Sequence, residues 1–185
     1  MCLVITNVLI ENSTLVPVVF VLIAVACVGV GYLILRTRRH GNRALWILVL
    51  LSVLPVAVLP LVPTSTGGDG ITCTIQFHMP TPGSVELLAN AALFLPPVFF
   101  ATLATRRRLL MLAAGAVLSG AIEALQAVVP AIGRACDTND WTMNTVGAAL
   151  AVLLATATIA LADRTAVRKA ERVSADPPPG NHPQP

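Results

Sequence analysis

The stretch Val85–Val129 decides the fold, and it reads VELLANAALFLPPVFFATLATRRRLLMLAAGAVLSGAIEALQAVV. Its two apolar runs are separated only by Arg106, Arg107 and Arg108. Each run reaches the length of about 20 residues that a helix needs to cross the hydrocarbon core of a bilayer. The stretch therefore predicts two antiparallel membrane-spanning helices joined by a short basic turn.

The rest of the chain has the same character. Hydrophobic residues make up 56% of the 185 residues, charged residues only 11%, and the mean hydropathy is +0.80, which is more apolar than a soluble domain. We expect an all-α integral membrane bundle of five transmembrane helices. These form a single transmembrane domain, residues 1–172, followed by a Pro-rich polar tail, residues 173–185, that we expect to be disordered. The predicted spans are residues 15–35, 44–62, 85–105, 109–129 and 141–162.

The basic residues indicate the orientation of this bundle. Lys and Arg in short loops stay on the cytoplasmic side of a membrane. The three clusters therefore predict an N-terminus outside and a cytoplasmic C-terminus, and they leave only Arg134 on the outer side. Because topology accounts for the basic residues, we expect no nucleic-acid binding. The clusters are Arg36, Arg38, Arg39 and Arg43; Arg106, Arg107 and Arg108; and Arg164, Arg168, Lys169 and Arg172.

Small residues at four-residue spacing occur in the last two predicted spans. Gly115 and Ser119 form one such pair, and Gly147 and Ala151 form the other. Pairs of this kind let helix backbones approach closely, although they also recur by chance in Ala-rich apolar helices. They indicate a compact bundle.

The polar residues of the spans lie near the predicted outer surface. Glu123 and Gln126 are three residues apart, so they project from one face of a helix. The loop between the last two spans adds Arg134, the outward basic residue, next to two aspartates. The candidate binding residues are Asn90, Glu123, Gln126, Arg134, Asp137, Asp140 and Asn144.

Glu123 needs an explanation, because a carboxylate in a span costs on the order of 2.5 to 3.5 kcal/mol at mid-depth. It is protonated, it pairs with Arg134, or it accepts hydrogen bonds from Gln126, Asn90 or Asn144. The set then forms either an interhelical network that holds the bundle together or a pocket that contacts a ligand. The sequence leaves both interpretations open.

Asp137 and Asp140 also allow two interpretations. Two carboxylates three residues apart can bind a divalent cation, but they equally suit the N-terminus of the last helix, where they cap backbone N–H groups and face the positive end of the helix dipole. Capping is favoured. A zinc site is not expected, because there is no CxxC and His78 is the only histidine on the outer side. We expect no metal and no cofactor.

The cysteines indicate a disulfide. Cys73 and Cys136 lie in the two predicted outer loops, Cys2 lies at the outer N-terminus and Cys27 lies inside the first span. The outer face of a bacterial membrane permits disulfides. Cys73 and Cys136 are the candidate pair, and Cys2 is the competing partner.

Residues 86–153 resemble the core of VanZ-like membrane proteins. The resemblance implies a bacterial cell-envelope context and altered sensitivity to lipoglycopeptides such as teicoplanin, without implying a reaction. One position departs, since this chain has Val98 where the family tends to have Gly. The motifs are Asn-x-x-x-Phe-x-Pro at Asn90, Phe94 and Pro96; Glu-x-x-Gln at Glu123 and Gln126; and Arg-x-x-Asp-x-x-Asp-x-x-x-Asn-x-x-Gly at Arg134, Asp137, Asp140, Asn144 and Gly147.

These observations lead to two functional hypotheses. The first is a multi-pass protein of the bacterial cytoplasmic membrane whose outward polar pocket binds an envelope component or modulates lipoglycopeptide sensitivity. The second is a membrane enzyme that performs acid/base chemistry on a lipid-linked envelope substrate, with Glu123 or Asp140 as proton acceptor. The expected partners are membrane lipid and a lipid-linked envelope component or lipoglycopeptide. The sequence fixes neither the ligand nor the oligomeric state.

Overall fold

The computed structural model describes residues 15–37, 41–59, 73–74, 85–129 and 136–175. Five helices in this part of the chain are long and apolar enough to cross a membrane, which confirms the predicted all-α membrane bundle. The direction in which the termini face remains a prediction. The elements are α1 (Leu15–Arg36), α2 (Gly41–Val58), β1 (Cys73–Thr74), α3 (Val85–Thr105), α4 (Arg108–Val128), β2 (Cys136–Asp137) and α5 (Thr138–Ala175).

Helix α3 is the centre of the bundle. It contacts each of the other four helices, and 56% of its apolar window is buried, compared with 11% for α1. Phe94, Leu95 and Phe99 are almost completely buried, and the Phe99 and Phe100 rings meet edge to face with centroids 5.3 Å apart. The Phe94 of the VanZ-like motif therefore belongs to the core rather than to a binding site.

Close helix approaches occur at the small residues. A Cβ on Gly147 would collide with the backbone of Ala91, so α5 and α3 cross there with their backbones in contact. A Cβ on Gly115 would lie 3.0 Å from Ala148 Cβ, and Ala151 is fully buried. The compact packing that the small-residue pairs predicted is confirmed.

One helix is described beyond its predicted span. Helix α2 is α-helical to Val58 and Leu59 has a 3₁₀ conformation, but residues 60–62, where the predicted span ends, lie outside the described part. Helix α5 continues beyond residue 162 to Ala175, because no Gly or Pro interrupts its polar extension. It therefore ends inside the segment 173–185 that was expected to be disordered, and residues 176–185 lie outside the described part.

The connection between α3 and α4 is as short as the sequence predicted, and it consists of Arg106 and Arg107. Arg106 has a φ of 57°, a left-handed conformation that is uncommon for residues other than glycine. Its guanidinium lies 3.4 Å from the carboxylate of Asp163, with both side chains 57% exposed. Exposed pairs of this kind contribute about 0 to 1 kcal/mol.

Candidate functional site

Buried polar side chains collect where the C-terminal part of α4 meets the beginnings of α3 and α5. They lie at the end of the bundle opposite the Arg106 turn. An apolar helical protein buries polar groups only at a cost, and native structures compensate with hydrogen bonds. The members that are at least nine-tenths buried are Ser119, Glu123, Gln126, Asn139 and Asn144.

Asn90 and Asp140 connect α3 to α5. The Asn90 amide nitrogen donates a hydrogen bond to Asp140 Oδ1 at 2.5 Å, and both side chains are half-buried. A hydrogen bond to an ionised carboxylate is shorter and stronger than one between neutral groups. The structure thus brings together two of the candidate binding residues from different spans.

Glu123 of α4 holds the start of α5 through a backbone group. Its Oε2 accepts a hydrogen bond from the backbone N–H of Asp137 at 2.9 Å. Among the explanations that the sequence offered, hydrogen bonding to the carboxylate therefore applies. This backbone donor was not among the predicted ones, because sequence patterns reveal side chains but not the direction of a loop N–H. Hydrogen bonds from Gln126, Asn90 or Asn144 to Glu123 stay predictions.

Asp137 caps α5. Asp137 lies one residue before the helix begins at Thr138. Its Oδ1 accepts a hydrogen bond from the backbone N–H of Asn139 at 2.8 Å. The first N–H groups of a helix have no partner inside the helix, and a carboxylate at this position satisfies one of them. The favoured capping role of this aspartate is confirmed.

Asn144 of α5 faces Ser119 of α4. Its amide nitrogen donates a hydrogen bond to Ser119 Oγ at 2.9 Å in a fully buried setting. Its other amide atom, Oδ1, is buried and has no hydrogen-bond partner in the described part of the chain. A serine hydroxyl both donates and accepts, so rotating the amide would move the unpaired atom from oxygen to nitrogen without removing it.

Trp141 adds a further connection between α4 and α5. Its indole N–H donates to the backbone oxygen of Ala116 at 3.0 Å, and the ring passes close to Gly120. A half-exposed indole with one polar atom satisfied is typical of tryptophan at a membrane interface. Together with Glu123 and Asn144, it fixes the position of α5 against α4.

The strands β1 and β2 bring Cys73 and Thr74, which lie between α2 and α3 in the chain, to the same end. They pair in parallel with Cys73 opposite Cys136 and Thr74 opposite Asp137. Asp137 is also the residue whose N–H reaches Glu123. The backbone of Cys73–Thr74 therefore lies directly beside the polar cluster.

A comparison with protein families identifies the chain. The model of the VanZ/LLP1 family matches residues 20–160. The chain belongs to the VanZ/LLP1 family. The match confirms the resemblance over residues 86–153 and extends it through most of α1 and all of α2, where the sequence showed no recognised motif. No curated protein and no solved structure matches the chain.

Some predicted features of this VanZ/LLP1 chain lie outside the described residues. Arg134 is one of them, so its pairing with Glu123 stays a prediction. The disulfide also stays a prediction, since only the backbones of Cys73 and Cys136 are described. Within the described ranges, no group of three or more His, Cys, Asp or Glu side chains is placed to hold a metal ion.

The VanZ/LLP1 site includes groups that the sequence interpretation left out. Neither Ser119 nor Asn139 is among the candidate binding residues, but both are buried in the polar cluster. A signal was present for Ser119, because Gly115, Ser119 and Glu123 lie four residues apart and share one face of α4. The Asp137 N–H carries no signal in the sequence, since every residue except proline has one.

Proposed function

We propose that this VanZ/LLP1 protein binds a component of the bacterial cell envelope at the buried polar cluster, and that this binding modulates sensitivity to teicoplanin-type lipoglycopeptides. The observation that carries the proposal is Asn144 Oδ1, a buried acceptor without a partner in the described part of the chain. An unpaired buried polar group costs about 1 to 3 kcal/mol. A ligand that donates a hydrogen bond would remove that cost.

The chemistry of the cluster favours a ligand rich in hydrogen-bond donors. Glu123 and Asp140 supply carboxylates, and Asn144 supplies an amide oxygen. Sugar hydroxyls and peptide N–H groups are the donors that envelope precursors and glycopeptides offer. Asn90 and Gln126 would orient such a ligand, and Arg134 would contact an anionic group such as a phosphate or carboxylate.

A purely structural network is the competing explanation. Interhelical hydrogen bonds in membranes contribute below about 1 kcal/mol on average, and they stabilise the bundle best when every member is paired. The Asn90–Asp140 and Glu123–Asp137 hydrogen bonds fit this explanation. The Asn144 amide does not, because one of its two polar atoms is left over.

An enzyme on a lipid-linked substrate is the second candidate, and the described geometry gives it less support. Ser119, the nearest hydroxyl to Glu123 along α4, is bonded to the Asn144 amide, which cannot act as a general base. A mass-spectrometric comparison of lipids from expressing and deleted cells distinguishes the two functions. A chemically altered envelope lipid would favour the enzyme with Glu123 or Asp140 as proton acceptor.

The binding proposal is tested with charge-neutral replacements in living cells. Glu123→Gln keeps an oxygen that can accept the Asp137 N–H and removes the charge, and Arg134→Ala removes the outward cation. Both are expected to change lipoglycopeptide sensitivity of expressing cells. Glu171→Gln is the matched control, because Glu171 is an exposed carboxylate on the polar extension of α5. Unchanged sensitivity for both variants, at equal protein levels, contradicts the proposal.

A further inference from the structure

A second recess lies at the opposite end of the bundle, between the end of α1 and the polar extension of α5. It is an open groove of about 740 Å³. The positive-inside rule predicts that this end is cytoplasmic, since it carries the basic clusters. The groove is lined by Leu35, Arg36, Ala162, Thr165, Ala166, Lys169, Ala170 and Ser174.

The charges on the groove walls are of one sign. Arg36 stands on the α1 wall and Lys169 stands on the α5 wall, and no carboxylate is among the lining residues. The neighbouring Asp163 pairs with Arg106 on another side of α5. The groove therefore presents two cations, from two different helices, to a single occupant.

Half of the lining residues are apolar. Ala162, Ala166 and Ala170 follow one another at four-residue spacing along one face of α5, and Leu35 faces them from α1. Thr165 directs its hydroxyl to the backbone oxygen of Ala162 at 2.8 Å. Two cations beside apolar lining residues suit an amphiphile better than a soluble ion.

The groove begins at the level of the headgroup layer and extends beyond it. The apolar part of α5 ends near Ala162, and at 1.5 Å per residue Lys169 lies about 10 Å beyond it. The headgroup region on each side of a bilayer is roughly 5 to 8 Å thick. Flexible lysine and arginine side chains bring their charges to that level from either side.

We propose that this groove binds an anionic phospholipid of the cytoplasmic leaflet, with Arg36 and Lys169 contacting its phosphate. Basic pockets between helices on the cytoplasmic side are suited to such headgroups. The Arg36 guanidinium lies 5.6 Å from the centroid of the Tyr32 ring, a cation–π contact that holds it at the wall. This site is independent of the polar cluster at the other end.

One local field opposes the phosphate. The last carbonyls of α1 carry a partial negative charge close to Arg36. The backbone N–H and the hydroxyl of Thr37 donate to the carbonyls of Leu33 and Ile34, at 3.0 to 3.3 Å, and so cover part of that charge. The two cations then determine the sign of the potential in the groove.

Native mass spectrometry of the full-length protein tests the proposal, with equal amounts of phosphatidylglycerol and phosphatidylcholine added to the detergent. The wild type is expected to retain one phosphatidylglycerol in preference to phosphatidylcholine. Each cation near a membrane surface contributes about fivefold in lipid binding, so Arg36→Gln and Lys169→Gln are each expected to lower that retention by about this factor. Ala166→Trp, which fills the groove without changing charge, is expected to lower it as well.

Arg108→Gln is the matched control, because Arg108 is an exposed cation at the same end but outside the groove. If all three Arg and Lys variants lose retention equally, general surface charge explains the binding and the site is wrong. Loss of the bound lipid when inorganic phosphate is added would assign the groove to a soluble anion and overturn the lipid proposal. Equal retention of phosphatidylcholine would also overturn it.

Discussion

The amide nitrogen of Asn90 lies 2.5 Å from Asp140 Oδ1, and this contact joins residues fifty positions apart in the chain. Asn90 belongs to the most buried helix, and Asp140 lies in the first turn of α5. The hydrogen bond fixes the rotation of α5 relative to α3. That rotation directs Asn144, one turn further along α5, toward Ser119 on α4.

A double-mutant cycle measures how much this contact contributes. Asn90→Ala is expected to lower the free energy of unfolding by about 1 kcal/mol, within the range of interhelical hydrogen bonds in membranes. Asp140→Ala should lower it too, and the double variant should lose less than the sum of the two single variants. Unfolding in mixed detergent micelles gives the three values. Strict additivity would show that the two side chains do not interact.

The crossing of α3 and α5 gives a prediction about glycine. In Gly147→Ala, the added methyl group meets the backbone of Ala91, which can move only with the helix. Overpacking of this kind costs about 1 to 3 kcal/mol. Gly29→Ala is the matched control, since a Cβ there meets nothing within 4 Å. The same unfolding assay should show Gly147→Ala destabilised and Gly29→Ala unchanged or slightly stabilised by better helix propensity.

A result in which both glycine variants behave alike would contradict the close crossing of α3 and α5. Loss of expression of Gly147→Ala alone would agree with it. Gly147→Ser then provides a second measurement, because its Cβ meets the same backbone while the hydroxyl adds polarity. It is expected to be at least as unstable as Gly147→Ala.

The fold was largely predictable because long apolar runs and basic turns act over whole helices. The end of a helix is harder to predict, because short-range effects decide it. Helix α5 continues as a polar helix after the apolar run ends at Ala162. A hydropathy pattern locates the membrane-spanning part of a helix and does not report where the helix itself stops.

The sequence predicted which side chains form the site, but not the hydrogen bonds between them. Spacing placed Glu123 and Gln126 on one face, and both are buried. One partner of Glu123 is a backbone N–H, and Asn144 bonds to Ser119, a small residue whose spacing equally suggested packing. Backbone N–H groups have no sequence pattern, and a small residue such as Ser119 fits both packing and hydrogen bonding. These hydrogen bonds are therefore visible only in the structure.

The Asn144–Ser119 pair gives a prediction in which stability and function separate. Ser119→Ala alone is expected to cost about 1 to 3 kcal/mol, because it leaves the Asn144 amide nitrogen buried without its acceptor. In the double variant Ser119→Ala, Asn144→Leu, no polar atom of the pair remains. Its free energy of unfolding is expected to equal or exceed that of the wild type.

The same double variant should lose its effect on lipoglycopeptide sensitivity, because it removes the unpaired amide oxygen. If replacing a polar group makes the protein more stable but less active, that group serves binding rather than folding. If the double variant is instead strongly destabilised, the network is structural. That outcome would weaken the proposed binding role of Asn144.

The register of β1 and β2 makes the predicted disulfide testable. With Cys73 opposite Cys136, we expect a bridge that stabilises the protein by about 2 to 4 kcal/mol. Alkylation of the unreduced protein followed by peptide mapping should leave Cys2 and Cys27 modified and the other two linked. A linked peptide that contains Cys2 would identify the competing pair. Cys73→Ser should lower the unfolding temperature, whereas Cys27→Ala serves as the control at a buried free thiol.

The orientation of the bundle decides which side of the membrane each proposed site faces. Helix α4 is 21 residues long, or about 30 Å, so its Arg108 end and its Glu123 end lie near opposite surfaces. Single cysteines in a background without the native four report the side directly. Leu59→Cys, near the outer end of α2, is expected to react with a membrane-impermeant maleimide in intact spheroplasts. Ser174→Cys, on the extension of α5, is expected to react only after permeabilisation. The reverse labelling would place the polar cluster in the cytosol and the basic groove outside, and it would contradict both the envelope ligand and the lipid of the cytoplasmic leaflet.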